Sequence, residues 1–510
     1  MTVLDAPITH GRTVATSLRA SCDVIVVGAG ASGMTVATHL AERGRDVVVL
    51  EEGPYVRPDD YQRFAPSESL RRLFREAGMV AALGVGATPL ITLTLGRAVG
   101  GSSLLTGGVC FRIPSDVHHH WERDLGLSAL GERALEEAYA DVERRMSVTE
   151  VPAKMRSRST NKFIEGAAAM GVEMKSMRRN TGADCEGLGR CNFGCPVGAK
   201  RSVDRSYLPS ALDHGARVAS DALVERILVG SGRAVGVAGR WLGGKFGAPS
   251  RGFELRARAV VLCCGAVHTP GLLRRLGLRG EAVGRHLTLH PAARVVARFP
   301  ERLNGWDGTL QSVYSDRYHD EGIWLNGVYT AVNVLAASLP GVGPELRSRV
   351  AQMPHYGVFG AMVHDEGGGT VRAGPGREPA LFYRMAPRDL KRLRRSIRIL
   401  AEMALEGGAE EVIPPVFGMH AVRSRRDLDR LEHDPLDPRR IECMAFHPLG
   451  SARMSHESRS GVVDEWGECW ELPGLFVADG SVLPTSVGVN SQIPIMTVAT
   501  QLAWRLDEVL

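Results

Sequence analysis

The chain has 510 residues, of which 44% are apolar and 23% charged, and a formal net charge of +5. At about 150 residues per domain this is an enzyme-sized chain of two or three domains, which excludes a disulfide miniprotein, a peptide module and a disordered chain. The cation excess is small and forms no tail, so nothing points to nucleic acid.

In chain order, Cys22-Asp-Val-Ile-Val-Val-Gly28 predicts a strand, the small residues up to Gly44 a helix, and Asp46-Val-Val-Val-Leu-Glu51 a second strand, together a βαβ unit. A helical segment from Ser67 to Met79 leads to a second glycine-rich stretch, Gly96 to Gly108, and then to helices at about 129–146 and 160–170. A cysteine-bearing loop occupies 182–200, followed by a short helix near Tyr207, a hairpin about Gly230-Ser-Gly232 and the apolar strand Ala259 to Cys264. Apolar and polar residues alternate over 293–385 between glycine turns, which predicts an antiparallel sheet. An amphipathic helix follows from Pro387 to Glu406, with the stripe Leu390, Leu393, Ile397, Leu400 and Ala404, ended by Gly407-Gly408. The segment 441–510 returns to glycine turns and closes on a helix starting near Pro494.

No apolar stretch reaches the ~18 residues of a membrane-spanning helix, and the first twenty residues lack the order of a signal peptide. Three of the nine cysteines crowd into one loop, which suits a reducing compartment. The expectation is a cytoplasmic protein, at most peripheral to a membrane.

Gly28-Ala-Gly30-Ala-Ser32-Gly33 follows a strand and opens a helix, and Glu51 ends the next strand. Such glycines permit a tight turn and close approach to a pyrophosphate at the helix N-terminus, while the carboxylate can take ribose hydroxyls. NAD and FAD share that signal. Asp479-Gly480, at the end of the predicted strand from Leu475, distinguishes them, because a carboxylate there can bond a ribityl hydroxyl that only FAD carries.

With these pieces the chain resembles the glucose–methanol–choline (GMC) family of flavoprotein oxidoreductases over nearly its whole length. The resemblance rests on Gly28 to Gly33 with Glu51-Glu52-Gly53, on Gly96-Arg97 through Gly100-Gly101-Ser102-Ser103, and on Gly265 to Leu273. It continues in Val283-Gly-Arg-His-Leu with His290-Pro291, in His447-Pro-Leu-Gly-Ser-Ala-Arg-Met454, and in Gly488-Val-Asn490-Ser-Gln492. It implies an α/β fold: a Rossmann-type FAD-binding domain over 20–292, a substrate domain with an antiparallel sheet over 293–440, and a return to the FAD domain over 441–510. FAD would be held by Gly28, Gly30, Ser32, Gly33, Glu51, Glu52, Arg97, Gly101, Ser102, Asp479, Gly480 and Gln492, with the Val224 backbone against adenine. Leu105 falls where some members bond FAD covalently through histidine, so non-covalent FAD is expected.

The family also implies oxidation of a CH–OH group, with His447 as the base and Asn490 orienting the hydroxyl; imidazole titrates in the range such chemistry needs. The His447 and Asn490 forms are nearest the sterol-oxidising and long-chain-alcohol-oxidising branches. A sugar or glycoside dehydrogenase, a redox-neutral flavoprotein such as a lyase or decarboxylase, and a non-catalytic flavin carrier are the alternatives. Electrons would pass to oxygen or to an electron-acceptor protein. If the closing helix points its N-terminus at the flavin, its dipole would stabilise the reduced ring.

Cys185-Glu-Gly-Leu-Gly-Arg-Cys191-Asn-Phe-Gly-Cys195-Pro196 reproduces the bacterial ferredoxin run with Leu188 in place of the second cysteine. Three thiolates suit a [3Fe–4S] cluster, which some bacterial members of the family carry; a loop of structural thiols is the alternative. Zinc, which takes four ligands in structural sites, ranks lower. The cations Lys391, Arg392, Arg394, Arg395 and Arg398 read as a solvated helix face, and His118-His-His120 receives no ligand role.

Overall fold

The computed structural model describes residues 6–243, 250–278, 280–329, 332–374, 376–419 and 421–510. An eight-stranded sheet forms the first half. Its strands run in the order Ile8–His10, Arg217–Ser220, Val47–Leu50, Leu18–Val27, Gly252–Leu262, Arg233–Trp241 and Ala222–Gly230, and Leu475–Val477 also pairs with Gly252–Leu262. The pairings from Ile8–His10 to Gly252–Leu262, and that of Leu475–Val477, are parallel, and the last two strands add antiparallel. Val24–Val27, Val47–Leu50 and Ala259–Leu262 are covered on both faces, as their unbroken Val/Ile/Leu runs require of parallel strands. The hairpin between Ala222–Gly230 and Arg233–Trp241 turns on Ser231 and Gly232, both with positive φ.

Helix Ala31–Glu42 packs on this sheet and against the closing helix, which begins at Gln492 and takes Pro494 into its first turn, where a missing N–H costs no helical bond. Gly33 allows the first contact, since a Cβ there would collide with the Gly28 carbonyl oxygen. The helices expected at 129–146 and 160–170 are Glu132–Arg145 and Arg158–Ala169, the second starting early because the Ser157 side chain accepts the Thr160 N–H at 3.1 Å. The helix expected from Ser67 to Met79 stops at Leu73: Phe74 is extended and pairs with Gly96, and Glu76 and Ala77 have positive φ.

A mixed eleven-stranded sheet forms the second half. Ala292–Arg298, Tyr356–Val363, Ile323–Val328 and Gln311–Ser315 pair antiparallel in that order, and Cys443–Ala445, Ile91–Leu93 and Val80–Gly84 extend the sheet from outside the 293–440 segment. Ala293, Val295 and Ala297 share a core with Leu393, Ile397, Leu400 and Ala404 of helix Pro387–Glu406. Three cations of that helix are tied into ion pairs, Arg392 to Asp389, Arg395 to Glu321, and Arg398 to Glu402 and Glu432, while Arg394 donates to the carbonyls of Leu431 and Asp434. The opposite face carries Met444, Ala292, Met362 and Trp324 in one cross-strand row, and Met362 and Trp324 join the core of the first half. Among the described residues, no helix is long and apolar enough to cross a membrane.

Candidate active site

A cleft between the two halves is lined by Gly28, Gly30, Ser32, Glu51, Glu52, Gly101, Ser102, Val224, His447, Asp479 and Gly480, drawn from six separate stretches of chain. The two glycine turns form its floor together. Gly28 has φ +105, a region closed to most side chains, and a Cβ on Gly101 would stand 2.7 Å from the Gly30 Cα. Gly30 starts helix Ala31–Glu42 with no side-chain cap, so the first-turn N–H groups are left for an anion.

Glu51 is buried and accepts the backbone N–H of Ala29 at 2.9 Å and of Gly53 at 2.7 Å; it shapes the glycine turn as well as facing the cleft, and burial raises its pKa. Asp479 is likewise held, accepting from the N–H of Gly265 and of Ser481 at 2.8 Å and from the Thr269 hydroxyl at 2.5 Å, and burial raises its pKa too. Each carboxylate keeps acceptor capacity for a hydroxyl. A glycine cradle, an uncapped helix N-terminus and two buried carboxylates in one cleft fit FAD.

Three expected FAD residues do not line the cleft. Gly33 serves helix packing, Arg97 pairs with Glu52 at 3.2 Å, and Gln492 sits 3.0 Å from the Thr106 hydroxyl. Sequence reasoning missed a charged group at the same edge: Arg75 bridges Glu52 and Glu378 at 2.8 Å each, and His268 meets Glu378 at 3.1 Å. Arg75 is nearly buried, and the two carboxylates balance its charge. No local motif marks such a pairing, since Glu378 lies in the other half of the chain.

His447 lines the cleft, and Asn490, which does not line it itself, donates its amide Nδ2 to His447 Nε2 at 3.2 Å. The strand Cys443–Ala445 delivers His447, and Asn490 directly precedes the cap of the closing helix. Burial, with a smaller contribution from neighbouring His290, holds the His447 pKa well below 6.5, so its ring is a neutral base at physiological pH. An alcohol hydroxyl that took the place of this direct bond would meet a proton acceptor in Nε2 and a hydrogen-bond donor in the Asn490 amide. Ser491 and Ile495 of the closing helix also line the cleft, which brings that helix's N-terminus to it.

The cysteine loop departs from expectation. Cys191 and Cys195 are buried and Cys185 is partly exposed, and among the described residues no group of three Cys, His, Asp or Glu side chains could hold a metal ion. Leu188 pairs with Gly308 and the Gly308 N–H donates to Gly187, which fixes the Cys185 end against another strand connection. Arg179 donates to the Cys191 Sγ at 2.9 Å, and Lys200 donates to the carbonyls of Leu104, Thr106 and Cys191. The thiol arrangement gives no support to a [3Fe–4S] cluster, and the loop buttresses the residues after the second glycine turn. His118 is a buried structural histidine, bonded to the Leu130 carbonyl and the Tyr139 hydroxyl.

Models of the GMC oxidoreductase family match residues 22–292 and 369–499. The chain is 36% identical over 483 residues to an uncharacterised GMC-type oxidoreductase of Mycobacterium tuberculosis, covering 94% of this chain and 75% of the relative. It is 28% identical over 520 residues to the long-chain-alcohol oxidase FAO4B of Arabidopsis thaliana, covering 94% of this chain and 66% of the plant protein. In fold it is similar to formate oxidase of Aspergillus oryzae, at a TM-score of 0.73 and 16% identity over 96% of this chain and 98% of that one.

Proposed function

The chain belongs to the GMC oxidoreductase family, and from that premise we propose that it is an FAD-dependent enzyme oxidising a bulky apolar alcohol, of the sterol, terpenoid or long-chain type, to the carbonyl compound. FAD, when bound, supplies the acceptor for the hydride leaving the carbinol carbon. His447 Nε2 takes the hydroxyl proton, and the Asn490 amide orients the oxygen. Their 3.2 Å approach carries this assignment, because a base and a donor converging on one point are what carbinol deprotonation needs. Leu105 offers no nucleophile, so FAD is held without a covalent bond.

The apolar substrate class is supported by Phe446, left 48% exposed where it lines the cleft beside His447. The names of the plant relatives point the same way, and point to oxygen as the electron acceptor. The test is anaerobic mixing of the FAD-loaded protein with dodecanol, cholesterol and glucose. Bleaching of the flavin by an apolar alcohol is expected. Bleaching by glucose alone would move the protein to the sugar dehydrogenases, and none by any alcohol would favour a redox-neutral flavoprotein.

A further inference from the structure

His290 lies behind the catalytic pair, wholly buried, its ring centroid 5.4 Å from that of His447. The backbone N–H groups of Val487 and Gly488 both donate to its Nε2, at 3.1 Å each. A nitrogen that accepts two N–H groups carries a lone pair, so the ring proton sits on Nδ1 and the ring is neutral.

The opposite side of the same segment is also held. Buried Asp365 accepts the Ser486 hydroxyl at 2.9 Å, the backbone N–H of Leu289 at 2.9 Å and of His290 at 3.2 Å, and the Tyr383 hydroxyl. Three consecutive residues, Ser486, Val487 and Gly488, are therefore gripped by one buried network, and Asn490 lies two residues further on. His290 itself has φ +51, a conformation a non-glycine residue keeps only where its surroundings hold it, and such residues gather at functional sites.

We propose that His290 is a positioning residue: by accepting the Val487 and Gly488 N–H groups it sets the segment that brings the Asn490 amide against His447. It does not touch the reacting atoms. Its catalytic consequence rests on the proposed alcohol chemistry, whereas the anchoring itself does not. Neutrality is part of the role, because a charged imidazole beside His447 would oppose proton uptake there.

Substitution separates the acceptor from the bulk. Glutamine extends an amide oxygen about as far as Nε2, asparagine stops one bond short, and leucine fills space without accepting. Hydrogen exchange at Val487 and Gly488 in the FAD-loaded holoenzyme should be slow in the wild type and in His290→Gln, and faster by ~10-fold or more in His290→Asn and His290→Leu. Flavin reduction by dodecanol should fall roughly 100-fold in His290→Asn at unchanged dodecanol affinity, recover in His290→Gln, and fall no further when His290→Asn is added to Asn490→Ala. Equal exchange in all four proteins, or equal losses in His290→Gln and His290→Asn, would overturn the proposal. Should the asparagine and leucine variants fail to fold, the nitrogen-15 shifts of His290 in the wild type decide: Nε2 unprotonated supports the anchor, and Nε2 protonated refutes it. A wild-type flavin that no alcohol reduces would remove the functional reading alone, since exchange still tests the anchor.

Discussion

His447 and Asn490 stand 43 positions apart in the chain and meet at 3.2 Å, while Cys185, Cys191 and Cys195 share one loop and form no metal-sized set. The difference lies in what holds each backbone. A strand end and a helix start, both locked into buried cores, deliver the proposed catalytic pair to one point. The cysteine loop is divided between two anchors, Gly308 for the Cys185 end and Arg179 with Lys200 for Cys191. Closeness in sequence is not enough to make a metal set, because the two ends of the loop are tied to different partners.

The largest expected effect tests the first region. His447→Ala should retain FAD and lose 10²- to 10⁴-fold, roughly, in the rate of flavin reduction by alcohol, read by anaerobic stopped flow. Unchanged reduction would remove His447 from the chemistry. Asn490→Ala, which deletes one donor to the alcohol oxygen, should cost about 100-fold in the same measurement. A loss confined to substrate affinity would make Asn490 a binding residue only.

The pH dependence sharpens the comparison further. A base whose pKa lies well below 6.5 is ready at neutral pH, so the reduction rate should stay level as pH falls from 8 through 6.5 and decline only in more acid solution. A midpoint near 6.5 would mean that His447 is not desolvated as described. Stability carries a related sign. The folded-state pKa of His290 is pushed down to about 3 by burial, so below 6.5 the unfolded chain binds the proton first and stability is lost as pH falls toward 3. The urea midpoint should therefore drop between pH 7 and pH 5, and less so in His290→Gln.

The smallest effect belongs to the second region. Cys191→Ser should keep FAD and leave alcohol reduction unchanged, at a stability cost of about 1 kcal/mol for the altered bond from Arg179. Stoichiometric iron in wild-type protein purified without air would contradict the structural reading of the loop.

Much of this was legible in sequence. The glycine spacing after Cys22 to Val27 located the floor of the cleft, and the Pro387 to Glu406 helix appeared at its expected bounds because its stripe repeats at helical period. Asn490 and His447, which meet in the structure, were singled out through the family resemblance of their motifs, not through any periodicity. Arg75 with Glu378, and Asp365 with His290, were invisible because their partners come from distant segments, and pairing across a fold leaves no local pattern. The helix from Ser67 broke early because Phe74 gains a strand-like pairing with Gly96, a tertiary contact that helix propensity does not register.

The central claim, that a neutral His447 set against Asn490 deprotonates an alcohol, is tested most directly by anaerobic titration of FAD-loaded wild type and His447→Ala with dodecanol, followed by flavin absorbance. The account expects complete bleaching of the wild type and none of the variant on the same time scale. Bleaching of both at equal rates, or of neither with any alcohol supplied, would contradict it.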